Sequence, residues 1–562
     1  MKISLISTKN NMNMKLNKIS GIILGIAALS QAMSCSDDFL QKSNPNQINQ
    51  ETYWQTENDA LMALTACYDA LQSTDLYNNQ PDGSFGFLHR ETSTDNGYKT
   101  RGAYMQGSTI WQGTSAPTDA CFSKYWTACY EVIKRCNTLI SNIDRVEMDQ
   151  EKINSYKAEA IALRSLMYCN LTSVFRDVPY LTEPLTLETA EAPKALKADI
   201  AEGVISDMKE YVTYLPAKGS EPAGRMTREA GYAILGRIAL FNQRWEDAID
   251  AYKQVIGKAS LFKSGDGSDY KANFADLFKE ENENCSEILL SVHYVGGNVG
   301  EGSKFGMCYN KPCVVYEATM DLCDDFYCTD GLPIDKSALF NGSLEKGAHT
   351  HEHPDYGRYE NRDPRLKATL CVPGEEWNGK KLEEWADFKN NKPYSTCVIR
   401  KWFKPEDPQN IASDSGMDYY IIRYAEVLLS LAEAMNEAGY PAADITQYIN
   451  EVRARVGMPA VEEAAQIWNN GAPQALDQEY LRQIIRHERR VELAFEDLRF
   501  ADLYRWGEWK TAIDNMTHEK DFYGLWTLAF SPGYRGPQDE VWPIPQSEID
   551  TNPQLEQHAE WQ

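Results

Sequence analysis

The sequence predicts a mainly α-helical protein in which tetratricopeptide-like helical repeats carry a large irregular, loop-rich half. Three observations predict it. Apolar residues recur at a helical period over most of the patterned chain. The stretch from Tyr232 to Tyr252 spaces large and small residues as a helical-hairpin repeat of roughly 34 residues does. Four long stretches, 73–117, 291–316, 330–410 and 520–562, are rich in Gly, Pro, Asn, Asp and aromatics and separate the helical blocks. Irregular segments of such length inside a protein are usually functional.

The N-terminus sets the compartment. The first 34 residues hold Lys2, Lys9, Lys15 and Lys18 and no acid. Lys15 and Lys18 precede the apolar run 19–29, too short to span a bilayer, and the pattern reads as a cleaved export signal. Ser34 before Cys35 resembles a bacterial lipobox, which makes Cys35 the expected lipidation site. Several acyl chains on one cysteine anchor durably, at about 0.8 kcal/mol per buried CH₂. The acidic run Ser36, Asp37, Asp38 resembles the surface-export signal of Bacteroidetes lipoproteins. The expected organisation is therefore a signal peptide over 1–34, a lipidated tether over 35–50 and one domain over 51–562.

Along that domain, residues 57–71 read as an amphipathic helix with Leu61, Leu64, Tyr68 and Leu71 on one face. Long helices follow over 125–140 and 153–174. Thr227 is placed to cap a helix through Tyr232, Leu235 and Gly236, and a second helix carries Trp245, Ala248, Ile249 and Tyr252. In a tetratricopeptide repeat the small residues let the two helices approach while the large ones fill the space beside them. Residues 421–436 read as a mostly buried helix with a narrow wet stripe of Arg423, Glu426, Ser430, Glu433 and Asn436, stopped by Gly439 and Pro441. Asp444 with Gln447 resembles a capping box for the next helix, which ends at Gly457. The stretch 480–506 reads as one more helix, its core-facing side ringed by ion pairs.

Composition excludes several functions. The chain carries 56 Lys and Arg against 82 Asp and Glu, a net of −26, and no basic run, so a nucleic acid would be repelled. Without the first 34 residues the net is about −30. Neutral sugars and peptides meet no such field, and 31 Tyr with 13 Trp suit flat, hydroxyl-rich ligands. The cysteines lack CxxC pairing, although Cys323 and Cys328 are close enough to invite a disulfide. No cofactor is expected. The run from Ser264 to Asp269 resembles half of a structural calcium loop but lacks the downstream bidentate Glu, and His351 with His353 completes no metal-ligand set. No G-x-S-x-G, H-E-x-x-H or P-loop occurs, so the expected role is not enzymatic.

A series of short motifs, in order, resembles the SusD/RagB family from about residue 35 to 562. Cys35 to Leu40, then Tyr53 and Trp54, look like its mature start. Lys157 to Tyr168 and Val174 to Pro179 resemble its early helix and turn. Asn361-Arg-Asp-Pro-Arg365 resembles a mid-chain motif, which we read as structural, Pro364 fixing a turn and the arginines clamping carboxylates or carbonyls. Arg423 to Leu429, Asn450 to Arg455, Glu488 to Leu493, Asp502 to Trp506, Trp542 to Pro545 and Asn552-Pro553 continue the series. Two departures stand out, Asp497 where the family usually has glycine and His558 where Asn is common. The resemblance implies a SusD-like fold, surface exposure on the outer membrane, a glycan ligand and a SusC-like TonB-dependent transporter over which the lipoprotein is a hinged lid. Peptide-binding membership of the same family, or a helical-repeat scaffold, is the alternative.

Sugar recognition needs aromatic faces flanked by groups that match every hydroxyl, since an unmatched buried polar atom costs roughly 1–3 kcal/mol. The candidates are Asp95, Asn96, Tyr98, Arg101 and Trp111, with Tyr294 and Tyr309 as a second group and Trp377 as a third.

Overall fold

The computed structural model describes residues 53–562 except 80–82, 100–106, 187–188, 221–223, 298, 305–315, 346–347, 349–352, 386–395, 404–413, 470 and 524–530, and the side chains of 518–523. The expected signal peptide, the tether and Cys35 lie outside the described residues.

Side-chain caps fix where the helices start. Thr56 and Asp59 form a capping box on α1 (Glu57–Asp69), and Asp149 caps α3 (Gln150–Val174), which lies against α2 (Ala120–Asn142). Leu61 is 37% exposed, so the buried face of α1 is Ala60, Leu64 and Cys67 rather than the face through Leu61. The next helix, α4 (Lys197–Tyr211), leads to the repeat-like hairpin of α5 (Arg228–Phe241) and α6 (Trp245–Lys253), whose cap is Thr227 as expected. A Cβ on Gly236 would lie 2.6 Å from the Tyr252 ring, so glycine is what lets α5 and α6 approach this closely.

The second hairpin departs from the sequence reading at its start. Residues Tyr419–Arg423 form a strand, and the helix α7 (Tyr424–Glu437) begins only after it. The expected wet stripe is buried. Glu426 receives a bidentate Arg237 at 2.7 and 2.6 Å, Glu433 receives Arg505, and Ser430 receives Arg489. Arg237 belongs to α5, so this pair fastens one hairpin to the next. Helix α8 (Ala442–Arg455) starts after Pro441 rather than at Asp444, and Gln447 donates to the Asp444 carbonyl.

The stretch 480–506 is two helices, α9 (Gln478–Leu493) and α10 (Arg499–Trp506), followed by α11 (Trp509–Tyr523). Phe495 and Asp497 break it, at φ of 64° and 65°. The left-handed backbone explains why glycine suits position 497. Here Asp497 stays because its carboxylate grips Arg90, with Nε at 2.9 Å from Oδ1.

Four short strands build an antiparallel sheet in the order β1 (Gly97–Lys99), β3 (Tyr316–Ala318), β5 (Val398–Ile399), β4 (Leu370–Cys371). A separate antiparallel pair joins β2 (Ile288–Val292) to β6 (Tyr419–Arg423).

Between that pair and α8 and α9 lies a buried lattice of charge. Arg365, Lys401, Arg423, Arg453 and Arg455 meet Glu287, Asp363, Glu488, Glu492 and Glu496, and none of the ten is more than 5% exposed. Glu492 alone accepts from Arg455 at 2.5 Å, Arg423 at 2.6 Å and Arg365 at 3.0 Å. Burial alone would raise its pKa, but Arg455, Arg423 and Arg365 outweigh that and hold it well below the ordinary range. The motif over 361–365 supplies part of this lattice. Arg365 clamps Asp363 and Glu488, while Arg362 donates to the carbonyls of Phe326, Arg358 and Cys323. The ion pairs thus form the core itself rather than ringing it. Cys323 and Cys328 are both free and buried.

Candidate functional site

Two of the loop-rich stretches, 73–117 and 291–316, meet at paired residues of the four-stranded sheet. Lys99, the last residue of β1, is paired with Tyr316, the first of β3. Asn79 Nδ2 donates to the Tyr316 hydroxyl at 3.1 Å, and the neighbouring Asn78 Oδ1 accepts from the Lys304 amide at 2.8 Å. Asn78, Asn79, Lys99, Lys304 and Tyr316 therefore tie together the borders of the segments 80–82, 100–106 and 305–315. Gly107, at the far border of the second segment, lies against Phe85 and Ser93, where a Cβ would come within 2.4 Å. Gly533 donates to the Trp111 carbonyl at 3.0 Å.

Beneath this junction the sequence candidates are buried. Asp95 is 1% exposed, and Arg499 holds both of its oxygens, at 2.8 and 2.7 Å. Burial opposes its ionisation, yet Arg490 and Arg499 outweigh burial and lower its pKa. Asn96 donates to Glu91 at 2.7 Å and accepts from Arg490 Nε at 3.0 Å. Tyr98, Trp111 and Trp377 are buried, and Tyr294 donates to the Tyr77 carbonyl at 3.1 Å. The helix Phe87–Glu91 and the turn after it direct Asp95 and Asn96 inward, where Arg490 and Arg499 satisfy them. Asp95, Asn96, Tyr98, Trp111 and Tyr294 are thus buried and form the floor of the region rather than its surface. Arg101 and Tyr309 lie outside the described residues.

Sequence reasoning gave no reason for residues 97–99 and 316–318 to meet. The β1–β3 pairing is that reason. It missed Asn78 and Asn79, whose adjacent amides in a turn-rich stretch were the available signal.

Two titrating groups sit in the floor. Burial raises the Glu91 carboxyl to about 7, against the opposing hydrogen bonds from Asn96 and the Phe495 amide. Burial also pushes the Lys99 ammonium well below its ordinary range. Elsewhere, Asp266 and Asp269 accept from Ser268 and the Ala272 amide. Among the described residues no group of three or more His, Cys, Asp or Glu is placed to hold a metal ion, and no helix is long and apolar enough to cross a membrane.

Comparison with known proteins gives consistent matches. A model of the SusD family matches residues 266–561, and one described as starch-binding associating with outer membrane matches 38–240. The chain is 26% identical to SusD-like protein P25 of Formosa agariphila, over 96% of its own length and 98% of that protein's. It superposes on a SusD-like carbohydrate-binding protein from Bacteroides fragilis with a TM-score of 0.75 at 26% identity, covering 90% of this chain and all of that one. A laminarin-binding SusD-like protein superposes at a TM-score of 0.63 and 22% identity, over 90% of this chain and 100% of its own.

Proposed function

The chain belongs to the SusD family, and from that premise we propose that it is a surface lipoprotein of the outer membrane that captures a glycan and delivers it to a SusC-like TonB-dependent transporter, binding without catalysis. The observation that carries the reading is the junction of Asn78, Asn79, Lys99, Lys304 and Tyr316. It gathers segments more than two hundred positions apart in sequence onto one rigid floor. A rigid base that emits several variable segments is how a binding surface is placed on a scaffold.

On this reading Arg101 and Tyr309 contact the sugar, and Asp95, Asn96, Tyr98, Trp111 and Tyr294 hold the floor below them. The lipobox at Cys35 supplies the anchor. The family description, with its association to the outer membrane, and the carbohydrate-binding relative support the compartment and the ligand class.

The test is a glycan array probed with residues 36–562, followed by titration of hits against wild type, Arg101→Ala and Tyr309→Ala. Selective binding, lost in both variants and without product after long incubation, is expected. Binding confined to peptides, or no glycan binding with or without the transporter, would overturn the reading.

A further inference from the structure

Helix α1 packs on α2, and Arg135 fixes how they meet. Its Nη1 donates to the Ala66 carbonyl at 2.6 Å and to Asp69 Oδ2 at 2.8 Å, which brackets Cys67 in the last turn of α1. Cys136 is the next residue of α2, and both cysteines are buried, at 0% exposure. Cys67 Sγ donates to the Ala63 carbonyl one turn back at 3.3 Å, and the Cys136 thiol is hydrogen-bonded to Cys67. Two small side chains from different helices therefore meet sulfur to sulfur, as free thiols in this structure.

A second buried pair, Cys323 and Cys397, also lies together, but there the Cys397 thiol is turned to Met320 Sδ at 3.7 Å. The α1–α2 pair also holds a particular place in the chain. The whole loop-rich stretch 73–117 lies between residues 67 and 136, so a bond joining them closes that stretch into one loop. Such a bond removes freedom from the unfolded chain, the more so the longer the loop.

The folded pair is protected from reagents. Burial and the Cys67 thiol raise the Cys136 pKa well above its ordinary range, against the opposing pull of Arg164 and Arg135, so little of the reactive thiolate exists there. Bridging therefore belongs to folding, while α1 and α2 still admit water.

We propose that Cys67 and Cys136 are a crosslinking site, closed as a disulfide between α1 and α2 when the chain folds in an oxidising envelope, with a protein or glutathione disulfide as the electron acceptor. One cysteine thiolate attacks the acceptor's S–S bond to give a mixed disulfide, and the second displaces the acceptor from it. The cysteine pair loses two protons and two electrons, and the acceptor's S–S bond becomes two thiols. The proposal rests on the export reading above for the place where the oxidant is met. Its test uses neither anchor nor glycan, so the two fail separately.

The test refolds residues 36–562 from urea into glutathione with glutathione disulfide, and in parallel into reductant alone. Each sample is quenched in acid, alkylated in denaturant without reduction, and mapped by peptide mass spectrometry. The expected result is the Cys67 and Cys136 peptides joined, two hydrogens lighter than their sum, and both separately alkylated after reductant alone. The bridged protein should unfold at higher urea than its reduced form, and Cys67→Ala/Cys136→Ala should lose that difference. The full chain, exported into the envelope of a Gram-negative host and mapped directly, replaces the refolded sample if refolding from urea fails. Two alkylated thiols in natively folded protein made under either oxidising condition, or either cysteine bridged to a different partner, would overturn the proposal.

Discussion

Replacing Glu492 with Gln tests whether the buried charge lattice holds the domain together. Glu492 is fully buried and accepts from three arginines at 2.5, 2.6 and 3.0 Å. The amide keeps the shape but removes the charge, and it turns a donor toward guanidinium groups that are themselves donors. Five cations would then face four carboxylates with no water to compensate. Breaking a buried pair by removing one partner costs roughly 3–5 kcal/mol, because the remaining charge is stranded. The assay is urea unfolding of wild type and Glu492→Gln at pH 7, with Asp514→Asn as the control. Asp514 pairs with Lys510 on the surface, with side chains 60% and 58% exposed, and such pairs contribute at most about 1 kcal/mol. The pH dependence has a defined sign. The folded carboxyl titrates well below the unfolded value of 4.5, so its stabilisation is present above that value and is lost as pH falls through the folded pKa. The gap between wild type and variant should therefore narrow in acid. A loss no larger than the control's, or a gap that widens in acid, would refute the reasoning.

Other consequences can be checked in the same way. Gly236→Ala sets a Cβ 2.6 Å from the Tyr252 ring, and overpacking of this kind should cost about 1–3 kcal/mol by denaturant midpoint. Asp497→Gly relieves a left-handed backbone but strands Arg90, whose side chain is 3% exposed. It should destabilise by roughly 2 kcal/mol or more, and a stabilised variant would show that strain outweighs the ion pair. His558 has its pKa lowered to about 4 by burial and by Lys194 and Arg176. Stability should fall as pH drops from 6.5 toward 4, by roughly 3 kcal/mol in all, and melting curves of His558→Asn should lack that loss. Cys35→Ser should leave the protein in the soluble fraction of lysed cells, without the acyl mass on its N-terminal peptide, and retention in the outer membrane would refute the anchor.

Much of the helical frame was legible because periodicity and caps are local. Thr227 and the Gly236–Tyr252 spacing needed no knowledge of distant residues, and both hold in the structure. The polar stripe through Glu426 and Glu433 was misread because a carboxylate in sequence looks solvated until its arginine is known. Arg237 and Arg505 come from other helices, so no local pattern reveals them. The same limit explains Ile421 and Ile422. They read as helix by hydrophobicity, but their pairing with β2 across the fold decides for strand. At the candidate site, composition located the loop-rich stretches but could not separate a buried Trp111 from an exposed one. Burial of an aromatic depends on which segments return over it, and here the segment around Gly533 arrives from the end of the chain.

The charge lattice also constrains how the chain reaches its fold. Arg423 and Glu287 are 136 positions apart, and Arg455 and Glu287 are 168 apart. A partly assembled set is worse than none, since each ion gives up water before its counterions arrive. Loop closure over such distances is also paid for in entropy before any contact rewards it. Residues from 287 to 496 should therefore lock late and together, with helical hairpins forming first and waiting. A chain stalled before that step keeps its arginines and carboxylates hydrated rather than stranded in a half-built core.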